Sequence, residues 1–458
     1  MGDFVYYLDE KQAYISVRRN IFRVPLHHPF TSPMANEISG ADVLQNMPIS
    51  ENIHPTLTGL PTLVRWYIDI REWEDHGYDL PLLDALRPAE QEAVKRYHHA
   101  ADRRMSLASH LLKYLYIHHA CGKPWREIIL SRTAMPENRP HFISSSPPHV
   151  DFNVSHQAGI TILAGTIAPT PEQIKAGAME AIHPRLGIDV TCARERRKAP
   201  ATTNELVEFV SIFSEVFSEH EMRTMKNPIT TLRRARDLGL ANAFPSNSEE
   251  TIARFGLRLF YSYWALKEAY LKMTGDALLA TWVRSLEFTN VIPPDPVELL
   301  SASKPYGLSQ DPKHIPRSTK NWGHPYTDVK SSRDGQPIED VRIELISFES
   351  DYIVATVGKG SSVGVVPQKP EPRAQNHLPD RITVHSGGVT EDHRIPLSAT
   401  RVVGSMDPWH VPYALADPWL PLQEVDINLD VRACAEGRCV HPKNPTNVLS
   451  SVRIEGDT

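Results

Sequence analysis

The segment Phe260–Gly275, which reads FYSYWALKEAYLKMTG, contains a carboxylate and an ammonium at a spacing that could do chemistry. Trp264, Glu268 and Lys272 lie four residues apart in a helix-forming run, so we expect them on one face of a helix. On that face a carboxylate could hold a divalent cation, and an ammonium could offset the negative charge of a phosphate. The alternative is an amphipathic core helix with one solvated Glu-to-Lys pair, worth about 0.2–0.5 kcal/mol.

Two further segments favour the functional interpretation: Asp151–Gly159, which reads DFNVSHQAG, and Gly187–Thr191, which reads GIDVT. In chain order, an NVSH turn, a GIDV strand and a W-x-x-K-E-A-x-x-K helix resemble the motif set of the Sfp-type 4'-phosphopantetheinyl transferases. Each motif is weak alone, whereas the ordered set is specific. The resemblance covers roughly residues 62–357, given the coarse boundaries of such comparisons.

The resemblance implies an enzyme that transfers 4'-phosphopantetheine from coenzyme A to a serine of an apo carrier protein domain, leaving adenosine 3',5'-bisphosphate. The carriers would be acyl, peptidyl or aminoacyl carrier domains of fatty acid, polyketide and nonribosomal peptide synthases, and of the aminoadipate reductase of lysine biosynthesis. Such a transfer requires a divalent cation on the diphosphate, carboxylates that hold the cation, and a base for the serine hydroxyl. Magnesium takes oxygen ligands and keeps several waters, so two protein carboxylates suffice.

The resemblance assigns the metal to Asp189 and Glu268, and allows Glu268 to act as the general base toward the carrier serine. It assigns Lys272 to the coenzyme A phosphates, where the ammonium would offset charge on the leaving group. Many relatives have a second acid where this sequence has Thr191. A metal-bound water or the threonine hydroxyl would fill that position. The structural alternative for Asp189 is a strand-end aspartate that caps a turn.

The residues predicted to bind coenzyme A lie in the first part of the resemblance. His156 corresponds to the family histidine at the 3'-phosphate, and Asn153 and Ser155 lie in the same predicted phosphate-binding turn. Arg132 and Arg139 correspond to a basic loop that holds the nucleotide, with Arg139 in place of the usual lysine. For these charged residues the alternative is a solvated surface.

The pattern of predicted strands and helices indicates an α+β fold of two similar halves, and the resemblance implies the same pseudo-duplicated fold. We expect the first half at residues 1–167, a linker at 168–185, and the second half at 186–359 with a surface insertion at 291–337. Residues 360–458 are rich in Pro, Arg, His and Asp, which predicts a mostly disordered tail. Periodicity predicts strands at 62–69, 128–131, 159–167, 186–190 and 285–289, a hairpin at 341–357, and helices at 90–120, 203–238 and 260–275.

Composition sets limits on the class of protein. The chain has 458 residues, 41% of them hydrophobic, which is enough for a sizeable core and more than one domain. No run approaches the ~18 apolar residues of a membrane span, and the N-terminus has no secretion signal. We therefore expect a cytoplasmic protein, and a monomer because two halves in one chain can build the site between them. A net charge of -6 provides no general attraction for nucleic acid.

Three residues near the C-terminus, Cys434, Cys439 and His441, have a spacing that could form a partial zinc site. Because a structural zinc site takes four ligands, these residues are predicted to belong to the ordinary tail.

Two other classes of function stay open. The chain could be a carrier-protein adaptor that keeps the fold without catalysis, which Thr191 permits and Asp189, Glu268 and Lys272 oppose. It could also be another coenzyme A or nucleotide enzyme, but it has no P-loop and no convincing nucleophile elbow.

Overall fold

The computed structural model describes residues 63–360 with gaps, residue 363, residues 419–439, and two strands at 4–9 and 12–17. The gaps fall at 74–76, 78, 135–136, 144–147, 169–174, 176–182, 195–198, 277–279 and 298–321. The chain divides into two compact units, Met1–Leu60 and Pro61–Thr458. In the first unit the two strands form an antiparallel hairpin, in which Phe4 pairs with Val17.

The strands of the described residues are, in chain order, β1 (Phe4–Asp9), β2 (Gln12–Val17), β3 (Leu63–Asp69), β4 (Leu130–Arg132), β5 (Pro140–Phe142), β6 (Val150–Gln157), β7 (Ile160–Ile167), β8 (Arg185–Cys192), β9 (Leu286–Thr289), β10 (Lys330–Arg333), β11 (Gln336–Pro337), β12 (Val341–Phe348), β13 (Tyr352–Lys359) and β14 (Trp419–Glu424). The α-helices are α1 (Pro88–Lys95), α2 (Ala100–Cys121), α3 (Thr203–Ser211), α4 (Glu219–Lys226), α5 (Ile229–Asp237), α6 (Glu249–Thr274) and α7 (Arg432–Ala435). Short helical turns lie at Leu83–Ala85, Trp125–Glu127 and Ile427–Val431.

The two halves of the second unit repeat one topology. In the first half a strand (β3), a long helix (α2) and a hairpin (β6–β7) form an antiparallel sheet in the order β3-β7-β6. In the second half a strand (β8), a long helix (α6) and a hairpin (β12–β13) give the corresponding order β8-β13-β12. Each long helix packs on its own sheet. The predicted α+β, pseudo-duplicated fold is therefore confirmed.

The long helix α6 contains the run that the sequence placed in a helix at 260–275, and it begins eleven residues earlier. Ser248 caps its N-terminus by accepting a hydrogen bond from the Thr251 amide at 3.2 Å. Gly275 ends it with φ +87°, the left-handed conformation that glycine adopts without a Cβ clash. Phe260, Ala265 and Leu266 are buried in the core of the second half.

The two sheets meet where edge strand β6 faces edge strand β8. Every second side chain of β6 accepts a hydrogen bond from a backbone amide of β8, always 35 residues ahead in the chain. These pairs are Asp151 with Leu186 at 2.7 Å, Asn153 with Ile188 at 3.2 Å, Ser155 with Val190 at 3.3 Å, and Gln157 with Cys192 at 2.8 Å. We call this set the side-chain ladder. It satisfies the edge amides of β8, which would otherwise be buried without partners.

The side-chain ladder corrects one prediction. The NVSH segment does not form a turn; it lies inside β6, and the chain turns after it at Ala158 and Gly159, which have φ +47° and +87°. The segment is polar, which is typical of a turn. In the structure its polar side chains instead bond to backbone amides of a distant strand, and the sequence does not show those partners. Strand β7, which follows the turn, agrees with its prediction.

The insertion is shorter than the predicted range 291–337, because the two ends of that range belong to the second half. Val291 and Ile292 are buried in the core of the second half, and Trp322 stacks on Phe348 with ring centroids 4.1 Å apart. Strands β10 and β11 also lie within the predicted insertion, and β10 pairs with β9. These flanks are thus part of the second half, and residues 298–321 lie outside the described residues.

One segment of the predicted tail has regular structure. Strand β14 pairs in parallel with β3, with Trp419 opposite Leu63, and extends the first sheet to the order β14-β3-β7-β6. Residues 364–418 and 440–458 of the tail lie outside the described residues.

Candidate functional site

The buried carboxylate of Asp189 is the centre of the candidate site. Asp189 lies in β8, where the residue is 5% exposed, and it pairs with Ala355 of β13. Its Oδ1 atom accepts hydrogen bonds from Lys272 Nζ at 2.6 Å and from Ser155 Oγ at 2.9 Å. Its Oδ2 atom accepts one from Thr191 Oγ1 at 2.8 Å. Asp189 therefore lies within a strand and contacts groups from both halves, so the turn-capping alternative is wrong.

The close approach of α6 to β8 explains how Lys272 reaches Asp189. A Cβ atom on Gly187 would lie 1.8 Å from the Ala269 carbonyl oxygen and 2.7 Å from the Met273 amide nitrogen, so only glycine fits there. Residues 187, 189 and 191 face the helix because side chains alternate along a strand. The helix then places Lys272 beside Asp189, with Glu268 one turn earlier on the same helical face.

Glu268 and Lys272 are less exposed than a solvated Glu-to-Lys pair on a helix surface, which was the alternative to a functional role. Glu268 is half-buried, and the Lys272 side chain is 23% exposed and bonded to Asp189 and Ser155. The ammonium of Lys272 lies 2.8 Å from Ser155 Oγ. Lys272 therefore interacts across the interface of the two halves.

Thr191 occupies the position of the second acid in many relatives, and it is 2% exposed. Its hydroxyl donates a hydrogen bond to Asp189, so it orients that carboxylate. The sequence shows only that a hydroxyl replaces the second acid at this position, because the partner of a hydroxyl is not visible in the sequence.

The predicted phosphate-binding residues of β6 lie on two faces of the strand. Ser155 faces β8 and Asp189. Asn153 is 4% exposed and its carboxamide oxygen accepts from the Ile188 amide, so it belongs to the side-chain ladder. His156 is half-buried and, by the alternation of strand residues, shares the opposite face with Phe152 and Val154, which pack against the core of the first half.

The predicted basic loop lies against the end of α6, since a Cβ on Gly275 would come within 2.7 Å of the Glu137 side chain. Arg132 is exposed, and its guanidinium donates to the Asn138 carbonyl at 2.9 Å. Arg139 is 3% exposed, and it donates to Asp151 at 3.0 Å and to the Leu186 carbonyl at 2.8 Å. The loop thus presents one arginine to solvent and turns the other into the protein.

Asp151, which is not among the predicted site residues, anchors this arrangement. Burial raises the pKa of Asp151, and the charge of Arg139 together with the Leu186 amide hydrogen bond opposes that increase. Asp151 could have been identified from the sequence, because it lies two residues before Asn153 in the same alternating polar pattern.

Lys267 lies next to Glu268 in sequence and belongs to the core. Its ammonium contacts Glu221 at 2.9 Å and both side chains are fully buried. It also donates to the Val283 carbonyl at 3.0 Å, and Glu221 accepts from the Phe288 amide at 2.8 Å. Burial raises the pKa of Glu221 and lowers that of Lys267, and their mutual attraction opposes both shifts. Glu221 also forms a capping box with Ser218 at the start of α4.

Family comparisons agree with this architecture. Residues 71–168 match the family model described as 4'-phosphopantetheinyl transferase, N-terminal, and residues 185–298 match the 4'-phosphopantetheinyl transferase superfamily. The two matches fall on the two halves of the fold and together contain the residues around Asp189. The fold and the site thus define a transferase of the 4'-phosphopantetheine group.

Individual relatives extend the match over most of the chain. The 4'-phosphopantetheinyl transferase A of Aspergillus fumigatus is 39% identical over 410 residues, which cover 83% of this chain and 96% of the relative. The 4'-phosphopantetheinyl transferase NpgA of Emericella nidulans is 36% identical over 394 residues, with the same coverage of 83% and 96%. An L-aminoadipate-semialdehyde dehydrogenase-phosphopantetheinyl transferase from Mus musculus is 25% identical over 217 residues, 47% of this chain and 57% of the relative.

The chain therefore belongs to the 4'-phosphopantetheinyl transferase family, and the predicted family is confirmed. Its reaction is the transfer of 4'-phosphopantetheine to carrier proteins, as the motif set predicted. Among the described residues, no helix combines the length and the apolar character needed to cross a membrane.

Proposed function

We propose that the chain catalyses magnesium-dependent transfer of 4'-phosphopantetheine from coenzyme A to a serine of apo carrier protein domains. The observation that carries this proposal is the set of contacts around Asp189: one carboxylate receives hydrogen bonds from Ser155 of the first half, and from Thr191 and Lys272 of the second. An ammonium and hydroxyls around a buried carboxylate suit a ligand rich in phosphate, because negative phosphate oxygens attract the ammonium.

The donor chemistry of the site fits magnesium. Asp189 and Glu268 would hold the ion, and the neighbouring hydroxyls of Ser155 and Thr191 also offer oxygen atoms, the ligand type that magnesium prefers. When bound, magnesium would neutralise the diphosphate of coenzyme A. The half-buried position of Glu268 supports its second proposed role, to accept the proton of the carrier serine directly or through a water.

Lys272, Ser155, His156 and Arg132 are the proposed contacts to coenzyme A. The partial exposure of Lys272 leaves its ammonium accessible to a phosphate, where it would stabilise the leaving group. Arg139 and Asn153, which the family pattern also assigns to coenzyme A, have internal partners in this structure. We propose that these two residues position the loop and β8 around the cofactor site.

The proposed partners are carrier domains of fatty acid, polyketide and nonribosomal peptide synthases and of aminoadipate reductase. Support for the last comes from the mouse relative, whose name refers to L-aminoadipate-semialdehyde dehydrogenase. A monomer is proposed because Ser155, Asp189 and Lys272 meet within one chain. The cytoplasmic location stays a prediction from the N-terminal sequence.

The experiment is the intact mass of apo carrier proteins after incubation with the protein, coenzyme A and magnesium. We expect the mass of one phosphopantetheine to be added to carriers from several of these pathways. No gain with any carrier would contradict catalysis and favour the adaptor function.

The metal requirement needs its own control. Omitting magnesium from buffer-exchanged protein should stop the transfer, and adding magnesium alone should restore it. Undiminished transfer without magnesium would contradict the proposed metal dependence.

A further inference from the structure

A cluster of sulfur and nitrogen atoms joins the segment 419–439 to the end of α2. The ligand atoms of His118, Cys434 and Cys439 all lie within 4.8 Å of one another. His118 Nε2 is 3.2 Å from Cys439 Sγ. His118 is 6% exposed, Cys434 is 2% exposed and Cys439 is half-buried, so solvent has little access to the cluster. This cluster lies in the first half and shares no residue with the site around Asp189.

A hydrogen bond at Nδ1 of His118 leaves the other ring nitrogen, Nε2, able to bind a metal. His118 Nδ1 lies 2.5 Å from the Lys123 carbonyl oxygen, which can only accept, so Nδ1 carries the proton. The lone pair of the neutral ring is then on Nε2, the atom that faces Cys439. Metal-binding histidines almost always use their other ring nitrogen in this way, because the bond fixes the tautomer and the ring orientation.

The backbone of the segment brings the two thiols to one side. Cys434 lies in the helical turn α7, and the chain reverses at Gly437, where φ is +72°. The amides of Arg438 and Cys439 both donate to the Ala433 carbonyl, at 2.8 and 3.1 Å. These bonds fold the C-x-x-x-x-C sequence into a tight loop that points both sulfur atoms at α2.

The spacing of the ligand atoms fits one metal. Zn–S bonds of about 2.3 Å and Zn–N bonds of about 2.0–2.1 Å place tetrahedral neighbours roughly 3.3–3.8 Å apart. His118 Nε2 and Cys439 Sγ are 3.2 Å apart, and His119 Nε2 lies 3.9 Å from Cys434 Sγ. His119 Nε2 is not one of the three ligand atoms that lie within 4.8 Å of one another, so it would have to move toward His118 and Cys439 to serve as a fourth ligand. Two thiolates with imidazole nitrogens favour zinc over magnesium or calcium.

We propose that His118, Cys434 and Cys439 bind one zinc ion, with His119 as the fourth ligand. The ion would fasten the segment 419–439, and with it the edge strand β14, to the first half. From the sequence alone, Cys434 and Cys439 were predicted to lie in the tail, and His441 was the third candidate ligand. His441 lies outside the described residues, and the histidine that meets both cysteines comes from a helix more than 300 residues earlier.

The test measures zinc in the full chain, expressed in zinc-supplemented medium and purified without chelator. We expect one zinc per chain by elemental analysis, and loss of that zinc in Cys434→Ser and His118→Asn. Cys121→Ser is the matched control, because Cys121 lies on the same helix and its sulfur contacts the Pro148 carbonyl at 3.8 Å; this variant should keep the zinc. His119→Asn should bind zinc more weakly than the wild type.

A second measurement uses the wild-type chain, so it tests the proposal even if the variants do not fold. Cobalt(II) added to the metal-free wild-type chain should give the thiolate charge-transfer and visible bands of a tetrahedral sulfur-nitrogen site, and zinc should abolish them. Three results would overturn the proposal: no zinc in the wild type, zinc retained by Cys434→Ser and His118→Asn alike, or a Cys434–Cys439 disulfide in the purified chain. A His119→Asn variant with unchanged zinc affinity would remove His119 from the ligand set.

Discussion

At the scale of single residues, the site depends on the hydrogen bonds that the carboxylate oxygens of Asp189 accept. Asp189 has hydrogen bonds to Ser155, Thr191 and Lys272, from two strands and a helix. Hydrogen bonds of this kind compensate the cost of burying a carboxylate and fix its orientation. Glu268 differs from Asp189 in exposure and in role. It is half-buried one helical turn from Lys272, and its proposed role is to accept a proton from the substrate.

We predict that Glu268→Gln abolishes transfer while leaving folding and coenzyme A binding nearly intact. Glutamine keeps the shape but loses the negative charge needed for metal binding and proton acceptance. The measurement is the rate of carrier modification, together with coenzyme A binding by calorimetry.

Glu250→Gln is the matched control for this variant, since Glu250 is exposed in the first turn of the same helix. It should transfer at the wild-type rate. Near-normal turnover by Glu268→Gln would remove Glu268 from the mechanism.

At the scale of elements, the packing of α6 on β8 determines which side chains meet. The contact is close because Gly187 has no Cβ where the Ala269 carbonyl lies. The buried pair of Lys267 and Glu221 fixes α6 to α4, while Lys272 on the same helix reaches the site. One helix thus has a structural lysine and a proposed functional lysine five residues apart.

We predict that Gly187→Ala lowers the free energy of unfolding by about 1–3 kcal/mol or more, because the new methyl group meets helix backbone that cannot rotate away. It should also reduce transfer by moving Lys272 and Glu268 relative to Asp189. Urea unfolding and the transfer rate are the measurements.

Gly256→Ala in α6 is the comparison for this packing effect. Its Cβ would meet side-chain atoms of Leu206 and Pro228, the nearest being Leu206 Cδ2 at 2.2 Å, and a leucine side chain can move. We expect a smaller loss of stability and normal transfer. Equal losses in the two variants would contradict the argument from the rigid backbone contact.

We predict that Lys267→Met costs about 3–5 kcal/mol of stability near neutral pH, because it leaves the Glu221 carboxylate buried without its cation. Burial already raises the pKa of Glu221, and losing Lys267 raises it further. The folded variant then binds a proton that the unfolded chain releases at the same pH, so its stability falls as pH rises above the unfolded pKa. Unfolding measured at several pH values should show a smaller deficit in acid.

The double variant Glu221→Gln with Lys267→Met removes both charges and is the control for this prediction. Its deficit should depend less on pH than that of Lys267→Met. A deficit of Lys267→Met that grew on acidification would contradict the assignment of the effect to Glu221.

At the scale of the whole molecule, Arg65 of β3 links the first half, the second half and the segment 419–439. Its guanidinium forms a buried ion pair with Glu344 of β12 and donates from Nε to the Leu420 carbonyl of β14 at 2.8 Å. Arg65 and Glu344 are 4% and 2% exposed. Because the proposed site uses residues of both halves, a contact that holds the halves together also supports function.

We predict that Arg65→Leu lowers the free energy of unfolding by about 1–3 kcal/mol, since Glu344 loses this partner and keeps only the longer buried ion pair to Arg342 at 3.6 Å. The unfolding transitions followed by tryptophan fluorescence and by circular dichroism should separate, as the halves lose their coupling.

Arg71→Leu provides the matched control for this change. Arg71 also joins the halves, through Glu349 at 2.8 Å, but its side chain is 34% exposed. The loss of stability should be smaller. A larger loss than that of Arg65→Leu would contradict the importance of burial.

The sequence by itself determined the class of fold, the family and half of the strands that the structure describes. The apolar periodicity of β3, β7, β8 and the hairpin β12–β13 is local, and so is the spacing of Glu268 and Lys272 on one helix. Local spacing is enough for such predictions because it follows from the geometry of a single helix or strand.

Only the tertiary structure decided which partners these residues have. The side chains of Asn153 and Ser155 bond to amides of a strand 35 residues away, and Cys439 meets a histidine 321 residues away. Neither contact has a local signature, because a polar side chain can find its partner on any element that the fold brings near. For the same reason the sequence identified Asp189 as a site residue, while its position beside Lys272 depended on the packing of α6 against Gly187.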